Sequence, residues 1–294
     1  MRTLSYPLRT LSFVRTRFAP APTGFLHLGH VLNAHHVWTT AARHGAEVLL
    51  RIEDHDRERC RPEYERAILD DLDWLGFAPD VYPTSAFRSG PCDSRQSERH
   101  AVYLEAAEML SARGLLYGCT CTRQDIAAAP GTGDGGELWY PGTCRDRGIA
   151  LDEGIAWRLR IDPGEEQFTD LWLGPQAQSP ENQCGDVAIR DRKGNWTYQF
   201  VASVDDFRQG IDLVVRGRDL LRSTGRQLRI ARLLDRETPA TFGHHELIMK
   251  SATQKLSKSD GDTGVRDLRT AGWTREQVVE AAIAAGLAAA ASPQ

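Results

Sequence analysis

Residues 17–30 read R-F-A-P-A-P-T-G-F-L-H-L-G-H, and this stretch limits what the chain can fold into more than any other. Pro20 and Pro22 forbid a regular helix or a central strand there, Thr23-Gly24 can turn the chain, and His27-Leu28-Gly29-His30 leads into a helix-like run at residues 31–42. The apolar and basic segment 13–18 supplies a strand before it, so the expected order is strand, rigid loop, helix. A helix start presented in this way turns main-chain N–H groups toward a ligand and attracts anions. His27 and His30 can lie on one side of that opening, and Gly29 between them leaves room for a close-packed group such as a purine ring. Phosphate or nucleotide is the natural guest. By itself, H-x-G-H suits a pair of surface histidines equally well.

A second element stands near the other end, at Lys255-Leu256-Ser257-Lys258-Ser259. Alone, two cations and two hydroxyls would be a solvated polar turn. In this order, after an H-x-G-H strand, loop and helix, the pair resembles the HIGH and KMSKS signatures of class I aminoacyl-tRNA synthetases. R-F-A-P-x-P-T-G narrows the resemblance to the glutamyl/glutaminyl branch.

With 294 residues the chain can bury a substantial core, as one large domain with an insertion or as two modest domains. Its 41% hydrophobic and 26% charged residues are ordinary for a globular protein, and no run approaches the length that spans a bilayer. The first fifteen residues have no continuous apolar stretch and are not expected to be a signal peptide. Net charge is −4, so a nucleic-acid surface would have to be local. The local concentration is Arg216, Arg218, Arg222, Arg226, Arg229, Arg232 and Arg236. It reads as a solvated face balanced by Asp219, Asp235 and Glu237, or as an RNA groove.

Along the chain, residues 47–52 are β-like and run into Glu53-Asp54-His55-Asp56-Arg57. A charged cluster after a buried strand sits where open α/β sheets bind ligands, which makes Glu53 a site candidate. Helical periodicity follows at residues 63–75 and 97–110. From Leu116 the texture becomes that of an insertion, with β-like runs at 155–161 and 168–173. Strand chemistry resumes at 186–190, a turn at 192–195 leads into 196–201, and the return to the main sheet is placed here. Residues 211–216 read as a buried strand, 223–234 as the helix after it, and 273–287 as a helical tail. The expected fold is α/β: a doubly wound, Rossmann-type (HUP-like) parallel-sheet catalytic domain, a zinc-containing α+β insertion and a short helical C-terminal part. Its halves are expected at 13–115 and 186–245, the insertion at 116–185, and the second signature with the tail at 246–294.

The six cysteines, at 60, 92, 119, 121, 144 and 184, lack the spacing of a secreted disulfide scaffold. Reduced thiols in a cytoplasm are expected. Cys119 and Cys121 on an extended strand point the same way, and with Cys144 they offer three soft ligands to tetrahedral Zn²⁺. Tyr140 and Asp146 are the nearby oxygens. C-x-C followed by Y-x3-C is similar to the zinc site of the glutamyl-queuosine tRNA(Asp) synthetases, which implies one Zn²⁺ held by Cys119, Cys121, Tyr140 and Cys144.

The resemblance covers nearly the whole chain. It implies that Arg17, Ala19, Ala21, Glu53, Tyr198 and Arg216 surround L-glutamate. It also implies that His27, Gly29, His30 and Lys258 bind ATP, with Mg²⁺, and that His27, His30, Lys255 and Lys258 form the catalytic set. The chemistry agrees: Arg216 or Arg17 can pair bidentately with the side-chain carboxylate, Glu53 can accept from the ammonium, and Tyr198 can close the pocket. Ala21 stands where the family has serine, so one hydroxyl is lost. About thirty-five residues follow Lys258, where full glutamyl-tRNA synthetases continue into anticodon-reading domains. That length matches the short paralogues, which activate glutamate without tRNA and transfer it to the queuosine of tRNA(Asp). A monomer is expected. The alternatives are a truncated enzyme charging the 3′ end of tRNA(Glu), a small-molecule nucleotidylyltransferase, and a non-catalytic binding module.

Overall fold

The structure, a computed structural model, describes residues 12–129, 138–248 and 264–291. Lys255 and Lys258 lie outside the described residues. Strand β1 (Arg15–Phe18) leads through the proline loop into α1 (Leu28–His44) and on to β2 (Glu47–Leu50). β1 and β2 pair in parallel, with Arg15 opposite Glu47 and Phe18 opposite Leu50. α1 outruns the expected 31–42 at both ends: His27 caps its start, and Gly45 stops it in the left-handed region at φ 73°. Its apolar face buries Val31, Leu32, Ala34 and Val37. α2 (Pro62–Leu75) opens on a proline and closes on left-handed Gly76. α3 (Thr84–Arg88) follows, and the helix expected at 97–110 is split into a 3₁₀ turn, Gln96–Glu98, and α4 (His100–Ala112).

The middle of the chain contributes β3 (Leu116–Cys119), α5 (Arg123–Ala128), β4 (Ala156–Leu159), β5 (Glu166–Asp170), β6 (Gly174–Gln178), α6 (Pro180–Cys184) and β7 (Val187–Arg190). β3, β4 and β7 form an antiparallel sheet. Here the strands depart from expectation. β7, placed by sequence on the main sheet, pairs with β4, whereas β5 runs parallel to a main-sheet strand and β6 hairpins back on it. The stretch 196–201 is not a strand either, since α7 (Tyr198–Arg208) starts inside it. Phe200, Val201 and Val204 are buried at helical spacing, and a six-residue apolar window cannot separate that pattern from a strand.

β8 (Leu213–Gly217), α8 (Thr224–Leu233) and β9 (Thr241–His245) complete the sheet, and α9 (Val265–Thr270) and α10 (Arg275–Ala291) follow. β8 and β9 are parallel. β8 also lies alongside β1. The Asp212 N–H donates to the Arg15 carbonyl at 3.1 Å, the Asp212 carboxylate accepts from the N–H groups of Val14 and Arg15 at 2.8 and 2.9 Å, and Arg17 reaches the Val215 carbonyl further along. The two-stranded sheet of β2 and β1 thus lies against the β8 edge of a four-stranded sheet in the order β8, β9, β5, β6, and the two meet at β1 and β8. Both faces are covered, because Leu50, Leu213 and Val215 pack with α1, α2 and α10 while their neighbours Leu49 and Val214 pack with Phe168, Leu228 and Phe242. In such a sheet the ligand site opens at the carboxyl ends where the order reverses.

Candidate functional site

That opening holds the proline loop. The loop is fastened to the chain after β2 by main-chain bonds: Arg51 N–H to the Phe18 carbonyl at 3.0 Å, Glu53 N–H to Pro20 at 3.1 Å, and Arg61 N–H to Pro22 at 3.0 Å. Ala19, Ala21, His30, Asn33, Glu53, Tyr198 and Leu220 line a cavity of about 350 Å³ beside it.

His27 and His30 form the helix start itself. The Gly29 N–H donates to Nδ1 of His27 at 3.1 Å, and the His27 N–H donates to Nδ1 of His30 at 3.2 Å. Their rings lie 3.9 Å apart. Because both Nδ1 atoms accept, the neutral rings carry their protons on Nε2, away from the helix. Two Nε2–H donors therefore stand at the positive end of α1. A side chain at 29 would meet the His27 ring at 2.9 Å, so glycine is what fits beside that imidazole. The chain re-enters the described structure at Gly264, which bridges His27, while the Leu26 carbonyl accepts the Val265 N–H at 2.8 Å. The described chain therefore resumes against the first signature.

Below the loop lies a lattice of buried charge. Arg17 Nε and Arg51 Nη1 converge on one oxygen of Asp206 at 3.1 and 2.8 Å, and Arg51 Nη2 bonds Glu53 at 3.0 Å. Burial opposes ionisation of Asp206, yet the guanidiniums of Arg17 and Arg51 hold its carboxyl below the usual range. Its neighbour Asp205 accepts from Gln96, Arg99 and Tyr103, which ties α4 to α7. Tyr198 starts α7, and burial, with the charge of Glu53, raises its phenol pKa.

Arg216, at the end of β8, is 3% exposed and has no carboxylate partner among the described residues. Its donors go to Nε2 of His244 at 3.0 Å, Oε1 of Gln227 at 2.6 Å, Oγ1 of Thr224 at 2.9 Å and the Leu220 carbonyl at 3.3 Å. All of these acceptors are neutral. Burial lowers its pKa, with Arg17 adding to the push. Asp206 and Glu53 offset its charge without bonding to it, and a buried guanidinium with no carboxylate bonded to it favours an incoming one.

Sequence reasoning placed Arg17, Ala19, Ala21, His27, Gly29, His30, Glu53, Tyr198 and Arg216 in one site, and the fold brings them around one opening. It missed Arg51, Asp205, Asp206, Gln227 and the pair Asp170 and His244. The signals were present: a cation inside the apolar strand L-L-R-I, and two adjacent acids inside the helical run V-A-S-V-D-D-F. The run of arginines is neither a solvated face nor a continuous groove, since Arg216 turns into the site and Arg229, 1% exposed, is buried against Glu166 and Asp162.

The sulfurs of Cys119, Cys121 and Cys144 lie within 4.8 Å of one another, and Cys121 and Cys144 are 3.6 Å apart. Tyr140 Oη is 3.4 Å from Cys119 Sγ. A tetrahedral zinc with about 2.3 Å to sulfur and about 2.0 Å to oxygen sets sulfurs about 3.8 Å apart and sulfur from oxygen about 3.5 Å apart, so this donor set fits that ion. Burial opposes ionisation of Cys144, but hydrogen bonds from the Thr120 main chain, Tyr140 and Cys121 bring its thiol down to about 6. The Arg158 guanidinium lies 3.6 Å over the Tyr140 ring, and burial, with the hydrogen bond to Cys119, raises the Tyr140 phenol pKa. Asp146, the other nearby oxygen, is engaged by Arg160 at 2.9 Å. Tyr140 is set against Gly185, at φ 67°, where a Cβ would stand 2.1 Å from the Tyr140 carbonyl. None of the six cysteines is in a disulfide, and no helix among the described residues is long and apolar enough to cross a membrane.

Comparison with known proteins agrees with this geometry. Residues 13–293 match the family described as tRNA synthetases class I (E and Q), catalytic domain. The chain is 45% identical over 249 residues to a glutamyl-Q tRNA(Asp) synthetase of Bordetella bronchiseptica, covering 83% of this chain and 75% of that protein. It is 40% identical over 289 residues to the protein of that name from Cupriavidus metallidurans, covering 94% and 89%. Among solved structures, a glutamate tRNA ligase from Elizabethkingia meningosepticum, in complex with its amino acid, superposes with a TM-score of 0.68 at 29% identity. That match covers 85% of this chain and 52% of the ligase, so the chain spans about half the ligase's length.

Proposed function

The chain belongs to the class I tRNA synthetases of the E and Q type, and on that premise we propose that it activates L-glutamate with ATP, without tRNA, and transfers the glutamyl group to queuosine in the anticodon of tRNA(Asp). It is an ATP-dependent aminoacyl ligase, and its relatives named glutamyl-Q tRNA(Asp) synthetase align over most of its length. The observation that carries the substrate assignment is Arg216, a buried guanidinium beside the cavity with neutral partners only.

In this reading the side-chain carboxylate of glutamate bonds Arg216, with Arg17 on its other side, and Glu53 accepts from the α-ammonium. Tyr198 closes the pocket, and the main chain at Ala19 and Ala21 borders the ligand. Ala21 offers no hydroxyl, so any contact there is made by the backbone. The α-carboxylate, left facing the start of α1, attacks the α-phosphate of ATP, giving glutamyl-adenylate and pyrophosphate. The Nε2–H groups of His27 and His30 meet the charge that grows on the phosphates, and Gly29 keeps the His27 ring in place for that role. Lys255 and Lys258 join the same nucleotide. Support for this is the bridge of Gly264, six residues after Lys258 in sequence, to His27. Mg²⁺ accompanies the triphosphate. A hydroxyl of the queuosine cyclopentenediol then attacks the acyl carbon, an ester forms and AMP leaves.

Zinc, held by Cys119, Cys121, Tyr140 and Cys144, supplies a closed four-ligand structural centre. Those residues join β3 to the segment before α6, and the antiparallel sheet around them offers a surface to the anticodon arm. The reduced thiols suit a cytoplasm. The test is pyrophosphate exchange with purified protein: glutamate-dependent exchange in the absence of tRNA is expected, and exchange that requires tRNA would count against tRNA-independent activation.

A further inference from the structure

Gln227, Thr224 and the Leu220 carbonyl hold the Nη groups of Arg216, and its Nε edge is set by a chain of two buried side chains behind it. Its Nε–H donates to Nε2 of His244 at 3.0 Å, and Nδ1 of His244 lies 2.6 Å from Oδ2 of Asp170. All three side chains are nearly sealed, at 3%, 2% and 1% exposure. Asp170 is itself fixed, its other oxygen accepting the N–H groups of Trp172 and Leu173 at 2.9 and 3.0 Å. Phe242 stacks on His244, with ring centres 5.8 Å apart and planes 9° from parallel, and lies 5.2 Å from the Arg216 guanidinium.

The proton positions follow from the donors. Arg216 has only donors, so Nε2 of His244 must accept; Nδ1 then carries the ring proton and gives it to the carboxylate of Asp170. Burial, with the positive charges of Arg216 and Arg17, keeps His244 neutral against the pull of Asp170. The arrangement fixes the Nε edge of the guanidinium with a neutral acceptor, because the Asp170 carboxylate is a full imidazole away from it, while Asp206 and Glu53 offset its charge without bonding to it.

We propose that Asp170 and His244 are positioning residues for amino-acid selection: they lock the tautomer that aims Arg216, with no carboxylate bonded to it, at the side-chain carboxylate of the substrate. This deepens the glutamate reading and rests on it. Asp170 lies on β5, which comes from the middle segment of the chain, so that segment forms part of the floor of the amino-acid site.

Asp170→Asn separates positioning from packing. The amide donates to Nδ1, moves the ring proton to Nε2, and sets it against the Arg216 Nε–H. Losing a hydrogen bond to a charged group, the KM for glutamate in pyrophosphate exchange should rise about tenfold to a hundredfold, with the KM for ATP unchanged. Adding His244→Gln in the Asp170→Asn background, which restores a neutral acceptor to Arg216 without a tautomer to set, should recover much of the loss. Nitrogen-15 spectra of ring-labelled histidine read the tautomer independently of activity, with Nδ1–H expected in the wild type. A wild-type His244 protonated at Nε2, or an Asp170→Asn enzyme with an unchanged glutamate KM, overturns the proposal. Wild-type exchange with another amino acid and none with glutamate would instead overturn the substrate reading, while the spectrum still decides the tautomer.

Discussion

The Nδ1 of His30 accepts the main-chain N–H of His27 at 3.2 Å, so the histidines of the first signature build the helix end that they also serve. His27→Ala removes a cap and, in the proposed function, a donor to the phosphates together. It should cost about 1 kcal/mol of stability and about 10²–10³-fold in pyrophosphate exchange. His27→Asn keeps a capping oxygen, so thermal melting should return toward wild type while the rate stays low.

Asp206 is the shared counter-ion of Arg17 and Arg51. Asp206→Ala removes the carboxylate that Arg17 bonds and leaves Arg51 with Glu53 and Asp205, and breaking such a buried pair costs about 3–5 kcal/mol. Urea unfolding should show that loss in the midpoint, and glutamate binding should weaken with it because Arg17 is released.

Much of this lattice was hidden in the sequence for a physical reason. The P-A-P-T-G loop and H-x-G-H are local, because proline, glycine and helix-start chemistry act over a few residues, and they placed β1, α1 and the site opening. Pairings between distant strands are not local. β5 and β7 are both short runs between turns, and only the packing decides that β5 joins β9 while β7 joins β4. The pairing of Arg17 with Asp206 and of Arg216 with His244 was not legible either, since those partners come from other elements. Tyr198 was named for the site but assigned to a strand, because its helix declares itself only beyond residue 201.

Asp71, in α2, is 3% exposed and has one carboxylate oxygen without a hydrogen-bond partner among the described residues. Burial raises its pKa to about 7, against the partial relief of Arg269. A carboxyl raised in the folded state favours folding below the unfolded pKa of about 3.9, and that contribution is lost as pH rises through about 7. The melting temperature should therefore decline between pH 5 and 8 through this group. Asp71→Asn should flatten the decline and raise the melting temperature at pH 8.

The sulfur cluster predicts about one zinc per chain in protein purified without chelator. Cys144→Ser should leave less than half an equivalent by elemental analysis and lower the melting temperature. Tyr140→Phe should weaken retention of the metal on gel filtration, whereas Asp146→Asn, which disturbs only the contact with Arg160, should not.

The most direct test of the whole account is incubation of the protein with radiolabelled glutamate, ATP and bulk tRNA from cells with and without queuosine. The account predicts label on tRNA(Asp) from the queuosine-containing pool alone. Label on the terminal adenosine of tRNA(Glu), present in both pools, would contradict it.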